Sequence, residues 1–84
     1  PKFVIENVKV ISGNIVGKNH IKSILIGKDG STFNSFLWNG KDTSLEPYLI
    51  EKSKKIFNIA GKMHLNEWKG KKKIEFIIDD ISIN

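Results

Sequence analysis

The sequence predicts an all-β domain with one short helix, a five-stranded barrel, and three observations carry that expectation. Apolar residues alternate with polar ones along most of the chain, which is the two-residue period of a half-buried strand. Turn-forming Gly, Asn and Asp clusters punctuate that alternation at short intervals. Only one stretch, around Pro47, offers a helix start.

The elements follow in order. Lys2 to Ile11 reads as strand one, with Phe3, Ile5, Val8 and Val10 on an apolar face and a change of phase or bulge at Glu6-Asn7. Ser12 to Asn19, with Gly13 and Gly17, reads as a loop or as a strand continued through a bend. His20 to Gly27 is strand two. Lys28-Asp29-Gly30-Ser31 is a hairpin signal, because Asp-Gly supplies the positive φ of a tight turn. Thr32 to Trp38 is strand three. After the polar segment 39–46, Pro47 suits a first helical turn and predicts a short helix to Ser53. Lys55 to Leu65 is strand four, with Phe57, Ile59, Gly61, Met63 and Leu65 inward and Lys62 and His64 outward. Asn66 to Lys72 reads as a basic loop. Lys73 to Ile83 is strand five, with Phe76 and Ile78 inward. Five strands with a helical connection between the third and fourth match the order of the OB-fold, a Greek-key barrel.

Composition narrows the function. The chain has 84 residues and a net charge of +5, and all 14 cations are lysine. It reads as a single domain over residues 1–84. With no Cys, thiol nucleophiles, thiolate ligands and disulfides are excluded, and a reducing, cytoplasmic location is expected. No apolar run nears the roughly 18 residues of a membrane helix, and the signal-peptide pattern is missing, so no membrane partner is expected. A start at Pro1 in a strand-like run suggests a piece excised from a larger protein.

No catalytic constellation is visible. His20 and His64 are not in a metal-ligand spacing, and adjacent Asp79 and Asp80 on a strand point to opposite faces. The segment Gly13 to Lys18 falls one residue short of a phosphate loop between its glycines and has Asn19 where Ser or Thr is required.

Charge is concentrated instead. Residues 52–73 hold eight lysines and one acid, whereas residues 1–51 hold six lysines and five acids. Clustered lysines attract a phosphate backbone, although a solvated lysine-rich surface has the same composition. The candidate nucleic-acid-binding residues are Lys18, Lys22, Phe36, Lys62, His64, Trp68, Lys69, Lys71 and Lys72. Lys18 and the run 68–72 occupy the loops flanking an OB groove, and aromatic faces beside lysines suit unpaired bases. Trp68 is read either as a base platform or as a lid over one end of the barrel. Which face of strands two and three points outward stays open, so Phe36 and Trp38 are either core or platform. Gly61 is read as permitting curvature or close packing.

Specific segments add a resemblance. His20 to Leu25, the Asp-Gly turn, Ser35 to Trp38, Ala60 to Gly70 (A-G-K-M-H-L-N-E-W-K-G) and Asp80-Ile81 together resemble the OB domain of the RecJ exonucleases. Ser23 departs from an aliphatic position, Trp38 from Phe, and lysine replaces arginine throughout.

The resemblance implies a single-stranded-DNA-binding module of a 5′ to 3′ exonuclease acting in DNA repair and recombination. Hydrolysis, and the Mg or Mn it uses, would belong to catalytic domains outside this chain, which itself needs no cofactor. Expected partners are single-stranded DNA, those catalytic domains and a single-strand-binding protein. The alternative is a structural or protein-docking module that packs on catalytic domains or binds an acidic peptide. A third reading is an RNA-binding module of translation.

Overall fold

A computed structural model describes residues 1–50 and 54–84 and all but the side chain of Trp68. Five strands, β1 (Phe3–Val16), β2 (His20–Ile26), β3 (Thr32–Leu37), β4 (Phe57–Trp68) and β5 (Lys71–Ser82), close in the order β1-β2-β3-β5-β4. All neighbours are antiparallel except β3 and β5, which run parallel. One short helix, α1 (Glu46–Leu49), stands between β3 and β4. This is the OB-fold order anticipated from the sequence.

β1 is long because it serves both sides of the barrel, pairing with β4 through Phe3 to Val8 and with β2 through Lys9 to Val16. The change of partner needs a bend, and the register shifts between Ile5 and Val8 and again between Val10 and Ser12. Asn7 takes a positive φ of 58° at the first shift. Its amide donates to Asn58 Oδ1 at 3.1 Å, so the bulge keeps its buried partner. The expected loop at residues 12–19 is therefore mostly strand: the second option, a strand carried through a bend, is the one adopted. At Gly13 a Cβ would collide with the Leu49 carbonyl, so glycine lets β1 pass directly under the end of α1.

The 28–31 turn forms as expected. Asp29 accepts from the Ser31 amide and hydroxyl, each at 3.0 Å, and Gly30 has φ 87°. The helix is shorter than the 47–53 span expected, ending at Leu49; residues 51–53 of that span lie outside the described residues. Leu49, fully buried, closes one end of the core formed by Val8, Ile21, Leu25, Leu37, Phe57, Ile59, Phe76, Ile78 and Ile81. The buried Ser23 hydroxyl donates to the Leu49 carbonyl at 3.1 Å, satisfying an acceptor left open at the helix end. An aliphatic residue at 23 could not do so.

The basic loop expected at 66–72 is instead a continuation of both strands. β4 and β5 pair as far as Trp68 and Lys71, leaving only Lys69-Gly70 as the turn, with φ 50° and 75°. Two positive φ values in a two-residue connection match the twist of a hairpin. The paired strands project past the core as an arm. Met63, Leu65 and Ile74, on one face of it, are 52%, 55% and 58% exposed, so the inward assignment of Met63 and Leu65 is corrected. Their alternation is real, but the barrel wall ends before it reaches them. Phe3, also expected inward, is exposed at the start of β1.

Candidate nucleic-acid interface

Burial settles which parity of β2 and β3 faces out. Ile21, Ser23 and Leu25 on β2, and Ser35 and Leu37 on β3, are buried. His20, Lys22 and Ile24 therefore share the outer face with Asn34, Phe36 and Trp38. Strand pairing arranges that face in rows that cross the sheet. Lys22 pairs with Phe36, Phe36 with Ile77, and Ile77 with Lys62. That row has a cation at each end and an aromatic and an aliphatic side chain between them. The next row runs Ile24, Asn34, Glu75, His64, and beyond it stand Asn66 with Lys73 and Trp68 with Lys71.

A groove of about 420 Å³ lies over these rows, lined by Lys22, Phe36, Trp38, His64, Asn66, Glu75 and Ile77. At one end the rings form a cluster. Trp38 meets His20 edge-on at 4.7 Å (74°) and Phe36 at 4.8 Å (67°), while His20 and Phe36 are 5.6 Å apart. His20 Nδ1 accepts the Asn39 amide at 2.9 Å, which fixes the ring plane and leaves the neutral ring's proton on Nε2. Trp38 is 60% exposed. The edge-to-face arrangement holds the indole upright without covering its outer surface, and an open π-face beside a lysine accepts a flat heterocycle.

The opposite end is basic and polar. Asn66 Nδ2 donates to Glu75 Oε1 at 3.0 Å across β4 and β5. Lys71 and Lys73, with Asn66 and Glu67, border a second cavity of about 480 Å³ along the arm. Among the described residues no three His, Asp or Glu side chains converge as metal ligands.

Of the residues anticipated from the sequence, Lys22, Phe36 and His64 line the groove together, and Lys62 closes the row that Lys22 opens. Lys71 extends the same face outward along the arm. Lys72 does not join them: paired with Glu67, it sits on the face of the arm that carries Leu65 and Ile74. Lys18 lies in the β1–β2 turn and Lys69 in the arm's turn, both exposed and neither in the groove lining. The Trp68 side chain lies outside the described residues. Trp38, His20, Asn66, Glu75 and Ile77 were not among the anticipated site residues. The signal for Trp38 was its shared parity with Phe36; for Glu75 no local signal existed, since only the pairing of β5 with β3 brings it to this face. Gly61 is structural as expected, because a Cβ there would strike the Ile77 carbonyl at the register shift between β4 and β5.

A closed β1-β2-β3-β5-β4 barrel with an aromatic, lysine-edged groove across β2, β3 and β5 defines the class: an OB module, whose outer face carries the residue types that nucleic-acid-binding OB modules use. The family model for the RecJ OB domain matches residues 1–80, nearly the whole chain, and the chain belongs to that family, the nucleic-acid-binding OB modules of RecJ-like proteins. No curated protein and no solved structure matches it.

Proposed function

We propose that the chain is the single-stranded-DNA-binding module of a RecJ-like 5′ to 3′ exonuclease that works in DNA repair and recombination. It guides the strand toward catalytic domains that carry the Mg- or Mn-dependent hydrolysis. The observation that supports this reading most directly is the row Lys22, Phe36, Ile77, Lys62, with an exposed Trp38 beside it. Lysines at the margins meet phosphates, and rings in the middle meet bases, which duplex DNA keeps stacked inward. The lysine-rich arm continues the positive potential beyond the groove.

The test is a fluorescence-anisotropy titration of the 84-residue chain with labelled oligo-dT at two salt concentrations, with duplex DNA and single-stranded RNA as competitors. Affinity should fall with salt by roughly 0.7 logarithmic units per neutralised phosphate for each tenfold change. Duplex should compete poorly. Salt-independent binding, or equal competition by duplex, would refute the reading.

A second reading has its own support. Met63, Leu65 and Ile74 form an exposed apolar strip on the face of the arm away from the groove. In this reading the barrel packs on the catalytic domains through that strip. The two roles use opposite faces of one hairpin and are compatible.

A further inference from the structure

One acid stands in the floor of an otherwise basic and aromatic groove. Glu75 lies in the row Ile24, Asn34, Glu75, His64, half-buried, directly beside the row that contains Phe36 and Ile77. Its Oε1 accepts from Asn66 Nδ2 at 3.0 Å, which orients the carboxylate. Among the described residues it forms no ion pair, although Lys22 and His64 line the same groove, and Oε2 accepts no hydrogen bond. A carboxylate in that position repels a phosphate. It therefore cannot serve the backbone of a bound strand.

It can serve a base. A carboxylate is an acceptor only, with about four lone-pair sites, so Oε1 can hold Asn66 and still act with Oε2 as a pair. Bases of a single strand expose their Watson–Crick edges, and the edges differ in donors. Guanine offers N1–H and the 2-amino group side by side, matching two carboxylate oxygens. Cytosine and adenine each offer one amino group. Thymine offers a single N3–H between two carbonyls that the carboxylate repels. Resting on the nucleic-acid reading above, we infer that Glu75 is a specificity-determining residue: oriented by Asn66, it reads the Watson–Crick edge of a base stacked in the groove, favouring guanine and disfavouring thymine. The module is thus a strand binder with a base preference at one subsite, whereas the lysines supply sequence-independent affinity.

The experiment compares d(GT)6, d(IT)6 and d(T)12 by anisotropy at one salt concentration, using the 84-residue chain. Inosine keeps N1–H and lacks the 2-amino group. The expected order is d(GT)6, then d(IT)6, then d(T)12, with roughly fivefold or more between the extremes, the low end for a bidentate contact to a base edge. Glu75→Gln should abolish the preference and at the same time tighten d(T)12, because a negative charge leaves the groove. Asn66→Ala, which changes no charge but releases the carboxylate from its orienting partner, should weaken d(GT)6 more than d(T)12 and so reduce the preference; it decides the matter should Glu75→Gln fail to fold. Equal affinity for the three strands, or a guanine preference that survives in both folded variants, overturns the role of Glu75 while leaving strand binding intact. Failure of all three strands to bind overturns strand binding itself and this inference with it.

Discussion

Replacing Trp38 with alanine separates a base platform from a packing ornament. Trp38 is 60% exposed and touches His20 and Phe36 edge-on at 4.7 and 4.8 Å. Less than half its surface is covered, so roughly 100 Å² of apolar area at about 25 cal/mol per Å² bounds the folding cost near 2.5 kcal/mol. No enclosed cavity forms at an exposed site, which brings the expected loss down to about 1–2 kcal/mol. The effect on binding is different in kind. Loss of one stacked base costs about 1–3 kcal/mol, a weakening of roughly 5- to 150-fold. Because no charge is removed, the salt slope should keep its value. Anisotropy with oligo-dT across a salt series, with urea melts to confirm folding, reads both quantities. A folded Trp38→Ala chain with parental affinity would show that the cluster only braces the barrel, and a reduced slope would show that the indole acts through the lysines.

The remaining expectations use other parts of the structure. Lys71→Ala with Lys73→Ala should weaken strand binding and lower the salt slope by about 1.4, or roughly 0.7 per lost phosphate contact, whereas Lys72→Ala on the opposite face should leave the slope nearly unchanged; salt-series titrations decide. Ile59→Ala should cost about 2–5 kcal/mol from the fully buried core. Gly61→Ala should cost about 1–3 kcal/mol, because its Cβ meets the Ile77 carbonyl rather than a movable side chain; urea denaturation measures both. Asp29 is held below its ordinary value of 3.8, first by the Ser31 amide and then by the Ser31 hydroxyl. A depressed carboxyl contributes stability that is present above its unfolded pKa and is lost as pH falls through the folded one. The carboxyl carbon of Asp29 should accordingly titrate by NMR with a midpoint below 3.8.

What could be read from the sequence was whatever local chemistry determines. The Asp29-Gly30 turn, the bulge at Glu6-Asn7, the inward Phe76 and Ile78 and the helix between the third and fourth strands all follow from turn residues and periodicity. The arm did not, because Met63 and Leu65 alternate just as core residues do, and only the extent of the surrounding wall decides whether such a face is covered. Lys69-Gly70 also lacks the Asn or Asp that usually marks a two-residue hairpin. Of the groove lining, Lys22, Phe36 and His64 were legible through charge, aromaticity and alternation. Glu75 and Ile77 reach the groove through pairing of β3 with β5, about forty residues apart in the chain, and no window along the sequence contains that information.

The seam between β3 and β5 has one further consequence. It joins the barrel through Asn34, Ser35 and Phe36 against Glu75, Phe76 and Ile77, the shortest run of pairing in the sheet and the parallel one. The groove straddles that seam, with Lys22, Phe36 and Trp38 on one bank and His64, Asn66, Glu75 and Ile77 on the other. A strand bound in the groove as proposed would grip both banks and act as a clasp across this shortest joint. If it bound only the shut barrel, its binding energy would add to the work of prising the joint apart. Slower amide exchange at Ser35 and Phe76 in the loaded protein would be the mark of that clasp. Under the proposed function, loading and latching would then be one equilibrium, with the bound strand holding the β3–β5 seam shut.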